Sequence, residues 1–261
     1  MQRTLSTRSL TVRFASLSAL ACIVCGTAAA SHAADVSVAV AANFSAPMAK
    51  IAQSFSQDTG HKALLSIGAT GKFYAQIKNG APFEILLAAD QETPAKLEQE
   101  GLAIAGSRFT YAVGRLVLWS KQSALVDDKG DILRKGNFDK LAIADPKLAP
   151  YGAAAVEVLD QLGLRQSLSA KLVQGENIAT AYQWVNAETA NMGFVALSQV
   201  MVDGKIAEGS AWLVPPSLHA PIRQDAIALA KGKGNPAVPA LLDYLRGEKA
   251  RTIIKSFGYA F

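Results

Sequence analysis

Val36 to Ala41 reads VSVAVA, small and β-branched throughout, the pattern of a strand buried on both faces. The period then changes. Met48, Ile51, Ala52 and Phe55 recur at helical spacing and form one apolar stripe. Between the two runs lies Ala42-Asn43-Phe44-Ser45-Ala46-Pro47, where Asn43 or Ser45 can cap the helix and Pro47 suits its first turn. A strand that feeds a helix start leaves backbone N–H groups free, and such a turn suits an anion.

The same device returns three times. Lys62–Ile67 is a second strand; it enters Gly68-Ala69-Thr70-Gly71 and a helical run, KFYAQIK. Thr70 can offer a hydroxyl and its own N–H to an anion, or serve as an ordinary N-cap. Leu141–Ala144 is a strand, followed by a loop holding Pro146 and Pro150 and a helix from Tyr151 to Leu162. Leu172–Gln174 is short and extended, and Glu176-Asn177-Ile178 leads into ATAYQWVN, with Ile178, Ala181, Tyr182 and Val185 at helical spacing. The other elements are a strand at Phe83–Asp90, a helix starting at Thr93-Pro94, a long extended run at Phe109–Trp119 and a short helix near Ile132. Strands at Asn191–Leu197, Ala211–Val214 and Ala226–Leu229 follow, with an Asp203-Gly204-Lys205 turn and two closing helices, Pro239–Leu245 and Lys249–Phe257.

Buried strands alternating with helices predict parallel sheets with helices on both faces. The fold class is therefore α/β, divided into two lobes. The first comprises residues 34–115 and 222–261, the second residues 116–221, with crossings near Gly114–Trp119 and Pro215–Ile222. Ligands of such sheets bind beyond the carboxyl ends of the strands. The turns at Asn43, Thr70, Tyr151 and Ile178 are expected to line one cleft, two from each lobe.

Charge and composition change the picture at the N-terminus. Residues 1–33 carry Arg3, Arg8 and Arg13 and no acid, then an apolar stretch from Phe14 to Cys25 and small residues up to Ala33. That is the layout of a cleaved secretory signal peptide. The apolar stretch is shorter than the about 20 residues a spanning helix needs. Cleavage after Ala33 removes both cysteines, so the exported chain has no thiol. The formal charge falls from +5 by the three arginines, to +2. A nearly neutral exported chain is not expected to seek nucleic acid or to insert stably into a membrane.

Other chemistries fit poorly. Gly68, Gly71 and Lys72 lack the spacing of a nucleotide phosphate loop, and Phe73 stands where Ser or Thr is needed. Asp90 ends a strand, but one carboxylate without His or Cys nearby is no metal site. His61 and His219 lack ligand spacing and read as structural or exposed. No GxSxG and no Ser/His/Asp arrangement is present. No direct cation ligands, catalytic residues or cofactor are expected, and the chain is not expected to be an enzyme.

The segments VAVAANFSAPM, IGATGKFYAQIKNGAPFEILLAADQ, YAVGRLVLWS, LAIADPKLAPYGAAAVEVL, GENIATAY, NMGFVALSQV and DYLRGEKARTIIKSFGY together resemble the periplasmic molybdate-binding proteins of bacterial ABC transporters. Their order and spacing span nearly the whole exported chain. The resemblance implies a type 2 periplasmic binding protein-like fold, two α/β lobes that close on ligand. It implies high-affinity binding of molybdate, and of tungstate too, by neutral hydrogen-bond donors, and delivery to an ABC permease by a periplasmic monomer. It carries the oxyanion ligands onto Asn43, Thr70, Tyr151 and the backbone of Ile178. Some family members have serine in place of Asn43, alanine in place of Tyr151 and tyrosine in place of Ala196. This chain is similar to the branch with the tyrosine in the third turn. Tyr151 is expected to act through its hydroxyl, its backbone N–H or both; the alternative is packing against Pro146 and Pro150. Sulfate or another tetrahedral oxyanion is the alternative ligand, and an exported enzyme or structural protein the alternative class.

Overall fold

The change of period at Ala42 is the end of a strand and the start of a helix in the computed structural model, which describes residues 33–261 apart from Asp203, together with Gln2. The expected signal peptide, residues 1–33, lies outside the described residues except for Gln2 and Ala33, as does Asp203 of the expected turn. Among the described residues the chain runs β1 (Asp35–Ala41), α1 (Ser45–Thr59), β2 (Lys62–Gly68), α2 (Thr70–Lys78), β3 (Ile85–Leu87), α3 (Glu92–Gln99), β4 (Phe109–Gly114), β5 (Leu116–Ser120) and α4 (Ile132–Lys135). It continues through β6 (Leu141–Ala144), α5 (Pro150–Gln161), α6 (Arg165–Leu168), β7 (Leu172–Gly175), α7 (Ile178–Asn186), β8 (Met192–Ala196) and α8 (Leu197–Val200). A hairpin of β9 (Met201–Val202) and β10 (Lys205–Ile206) follows, then β11 (Ser210–Leu213), β12 (Ile222–Ala228), α9 (Ala237–Arg246) and α10 (Glu248–Ser256).

Two five-stranded sheets result, ordered β2-β1-β3-β12-β4 and β11-β5-β8-β6-β7. Side chains alternate across each strand, so both faces of each sheet need a cover. In the first sheet Val36, Val38 and Val40 join Phe44, Met48, Ile51, Phe55 and Leu241 on one face, while Ala39 and Leu86 join Phe73, Ile77 and Leu97 on the other. In the second, Leu116 and Leu118 pack with Val158 and Leu159 of α5, and Val117 and Trp119 pack with Ala181 and Val185 of α7. Each fully buried side chain of this size contributes roughly 1.5–3 kcal/mol relative to exposure. Helix, sheet and helix layers are the stable way to cover two apolar faces.

Two expectations are corrected. The sheets are mixed, not parallel: β12 runs antiparallel to β3 and β4, and β5 antiparallel to β8 and β11. A strand buried on both faces has the same composition in either direction, so the sequence pattern carries no sign of it. The Phe109–Trp119 run, where a crossing is expected, breaks at Arg115 into β4 and β5, which belong to different sheets. The Phe83–Asp90 strand shrinks to Ile85–Leu87. Beyond Leu87 the Ala88 N–H and the Asp90 carbonyl still pair with Asp225 of β12, while the Ala89 N–H goes to Thr70 Oγ1 at 3.0 Å.

The chain crosses between sheets at Arg115 and again between β11 and β12. Opposite β12, Gln224 pairs with Ala112 and Asp225 with Thr110, which leaves Tyr111 as the extra residue of a bulge. Bulges re-aim side chains. The C-terminus is pinned to β4 by reciprocal Val113 and Ala260 backbone bonds at 2.7 and 3.0 Å.

Candidate oxyanion site

The parallel strands of both sheets end toward one place. Asn43, Thr70, Tyr151 and Ile178 all line a single small cavity. Ala41, Ala42, Gly68, Ala69, Ala89, Ala149, Pro150 and Asn177 complete its wall. No lining residue carries a charged side chain. Small residues let backbone approach a ligand closely, and three α-helix starts supply the donors.

Thr70 is the first residue of α2, Tyr151 the second of α5 behind Pro150, and Ile178 the first of α7. At these positions a helix offers no acceptor to the N–H. Their three N–H groups have no protein acceptor among the described residues, and neither has that of Asn43. The positive ends of the helix dipoles point the same way. An orphaned buried N–H costs about 1–3 kcal/mol, which an anion in the cavity relieves. Charge-assisted bonds of this kind are roughly twice as strong as neutral ones.

Side chains sharpen the donor set. Thr70 is 1% exposed, and its Oγ1 accepts the Ala89 N–H at 3.0 Å. Its own proton is therefore available for donation. Thr70 does not cap α2; that position is Ala69, without a side-chain bond. Asn177 does cap α7, accepting from the N–H groups of Ala179 and Thr180 at 2.9 and 3.1 Å. That cap removes two of the first-turn donors from competition and leaves the Ile178 N–H.

Asn43 and Tyr151 are held from behind. Asn43 Nδ2 donates to Gln224 Oε1 at 2.8 Å and to the Tyr259 hydroxyl at 3.0 Å. Its carbonyl accepts from Ser198 Oγ and the Tyr259 hydroxyl, both at 2.8 Å. Neither Asn43 nor Ser45 caps α1, whose preceding residue is Phe44. The Tyr151 hydroxyl accepts from Gln224 Nε2 at 3.2 Å. It lies 2.1 Å from where a Cβ at Gly114 would stand, so Gly114 is the residue that lets the ring reach this depth. Burial pushes the Tyr151 and Tyr111 hydroxyls well above their ordinary pKa, and pushes Tyr259 up to about 12. All three therefore stay protonated at physiological pH.

The residues missed from sequence are Ala89, Asn177 and the buried polar group of Tyr111, Ser198, Gln224 and Tyr259. Only Asn177, an Asn directly before a helical stripe, carried a local signal. Asp90 accepts from the Thr93 N–H at 2.8 Å and the Thr93 hydroxyl at 3.1 Å, and burial raises its pKa. It lines a wider outer groove with Lys96, Lys147 and Arg223, outside the small cavity. His61 Nδ1 accepts the Ala34 N–H at 3.0 Å, a structural role.

The family model for bacterial extracellular solute-binding proteins matches residues 36–260. The molybdate-binding protein ModA of Azotobacter vinelandii is 60% identical over 232 residues, 89% of this chain and 92% of that protein. ModA of Rhodobacter capsulatus is 49% identical over 237 residues, 91% of this chain and 92% of that protein. Among solved structures, the Azotobacter vinelandii periplasmic molybdate-binding protein matches with a TM-score of 0.84 and 38% identity, covering 87% of this chain and 99% of that one.

Proposed function

The chain belongs to the bacterial extracellular solute-binding proteins, and we propose that it captures molybdate in the periplasm and delivers it to an ABC transporter. The observation that carries this reading is the 60% identity to a molybdate-binding protein over nearly the full length of both chains. The protein is a carrier, not an enzyme. Its cavity suits such a cargo, because a tetrahedral dianion presents only acceptors and the wall presents only neutral donors.

The ligand set we propose is the N–H of Asn43, the N–H and hydroxyl of Thr70, the N–H of Tyr151 and the N–H of Ile178. Partnerless N–H groups facing a shared cavity support it. Tungstate has the same shape and charge and is proposed as a second ligand. We further propose a monomer, residues 1–33 as the export signal, and two lobes, 34–115 with 222–261 and 116–221, that hinge at the two crossings. The two sheets and the crossing at Arg115 support that division. Among the described residues no helix is long and apolar enough to cross a membrane.

Calorimetric titration with molybdate, tungstate and sulfate tests the reading. Molybdate and tungstate should bind tightly and sulfate far more weakly. Preference for sulfate, or no heat with any of the three, would overturn it.

A further inference from the structure

Behind the cavity lies a buried polar group that takes no part in the proposed ligand set. At its centre is Gln224, 0% exposed and placed beside the β4 bulge. Its Oε1 accepts from Asn43 Nδ2 at 2.8 Å and from the Tyr111 hydroxyl at 3.0 Å, while its Nε2 donates to the Tyr151 hydroxyl at 3.2 Å. The Tyr111 hydroxyl also faces the Ala88 carbonyl at 3.0 Å. Both its neighbours are acceptors, so Tyr111 must act as the donor. The second amide hydrogen of Asn43 goes to Tyr259, whose hydroxyl also meets Ser198 Oγ at 3.0 Å. Two of the three partners of Gln224, Asn43 and Tyr151, thus belong to the cavity wall.

We propose that Gln224 is a positioning residue for oxyanion binding: its amide fixes the orientation of Asn43 and Tyr151, and through them the direction of two cavity N–H groups. An amide has a donor end and an acceptor end, so Gln224 and Asn43 are locked head to tail. Turning one requires turning the other. A buried apolar side chain at 224 would satisfy neither neighbour, and Asn43 would lose the bond that sets its amide. Gln224 is on a strand that leads back from the second crossing, so it also ties Tyr151 of the second sheet's half to Asn43 of the first. This inference rests on the oxyanion reading of the cavity.

The test is a double-mutant cycle in molybdate titrations of the full exported chain, using Gln224→Met and Asn43→Ala. Gln224→Met should weaken molybdate about ten-fold or more. In the Asn43→Ala background the same change should have less than about a third of that effect on the logarithmic scale, because Gln224 acts largely through Asn43. A merely structural glutamine would lower thermal stability equally in both backgrounds and leave the two affinity ratios equal, and that result overturns the proposal.

Gln224→Glu gives an independent measure should the methionine variant fail to fold. The groups around position 224 are the hydroxyls of Tyr111, Tyr151 and Tyr259, all kept protonated by burial, with Asp90 beyond Tyr111 and Asp225 next in sequence, the latter paired to Arg108 at 2.8 Å. A buried carboxyl there should have a raised pKa. Protonated at low pH it mimics the amide; ionised at high pH it repels the dianion. Molybdate affinity of this variant should therefore fall about ten-fold or more between about pH 5.5 and pH 8.5, with the parent chain changing much less. A variant that tracks the parent across that range overturns the proposal. If the parent chain itself fails to bind molybdate, the oxyanion reading fails first and takes the inference with it; a binding parent with unaltered variants rejects the role of Gln224 alone.

Discussion

Thr70 and Tyr151 each carry a buried hydroxyl that accepts one bond, from backbone at Thr70 and from a side chain at Tyr151. Thr70 Oγ1 accepts one backbone bond and keeps its proton for a ligand. The Tyr151 hydroxyl accepts from the Gln224 side-chain amide, deep beside Gly114. Thr70→Val should therefore weaken molybdate roughly ten- to a hundred-fold, the loss expected for a hydrogen bond to a charged group. It also strands the Ala89 N–H, so a stability loss of about 1 kcal/mol or more should accompany it in denaturant titrations. Tyr151→Phe leaves Gln224 Nε2 without its acceptor. Its expected signature is the reverse: a stability loss of about 1–3 kcal/mol and a smaller affinity change than Thr70→Val. Equal affinity losses in the two variants would return the Tyr151 hydroxyl to the ligand set.

At the scale of elements, α5 shows how closely a helix start must be seated for its N–H to serve. Tyr151 precedes Gly152, and a Cβ at Gly152 would stand 2.3 Å from the Ala144 carbonyl oxygen at the end of β6. Backbone does not yield as a flexible side chain does. Gly152→Ala should therefore push α5 off β6, lower stability by about 1–3 kcal/mol and weaken molybdate through the displaced Tyr151 N–H. Denaturant unfolding and titration on one preparation measure both. Unchanged affinity in a destabilised variant would show that the Tyr151 N–H is not a ligand donor. Gly114 is needed for a related reason, since its missing side chain leaves room for the Tyr151 hydroxyl.

For the whole molecule, the two sheets' halves touch across the cavity mouth. The Gly71 N–H donates to the Leu148 carbonyl at 2.9 Å, and Lys72 Nζ meets Glu176 Oε1 at 2.6 Å. Both members of that ion pair are well exposed, so Lys72→Ala should alter stability by about 1 kcal/mol at most. Closure around the ligand should depend on the buried donors instead. Small-angle scattering should show a smaller radius of gyration with molybdate than without it, for the parent and for Lys72→Ala alike. An unchanged radius under saturating molybdate would count against a hinge.

Sequence alone determined most of the longer elements, their buried faces and the four strand-to-helix turns, because period, small residues and helix-start chemistry are local; the short α6, α8, β9 and β10 carried no such signal. Those turns led to Asn43, Thr70, Tyr151 and Ile178, and all four line one cavity. Tertiary structure decided the rest. Strand direction was invisible because a doubly buried strand reads the same either way. That the expected crossing falls at Arg115 turned on which sheet each strand joins. The partner of the Tyr151 hydroxyl is Gln224, 73 residues distant in the chain, and the amide of Asn43 is occupied by residues 181 and 216 positions away. Such partners have no local pattern: a buried glutamine in a strand looks like a misplaced polar residue until the fold supplies the groups that satisfy it.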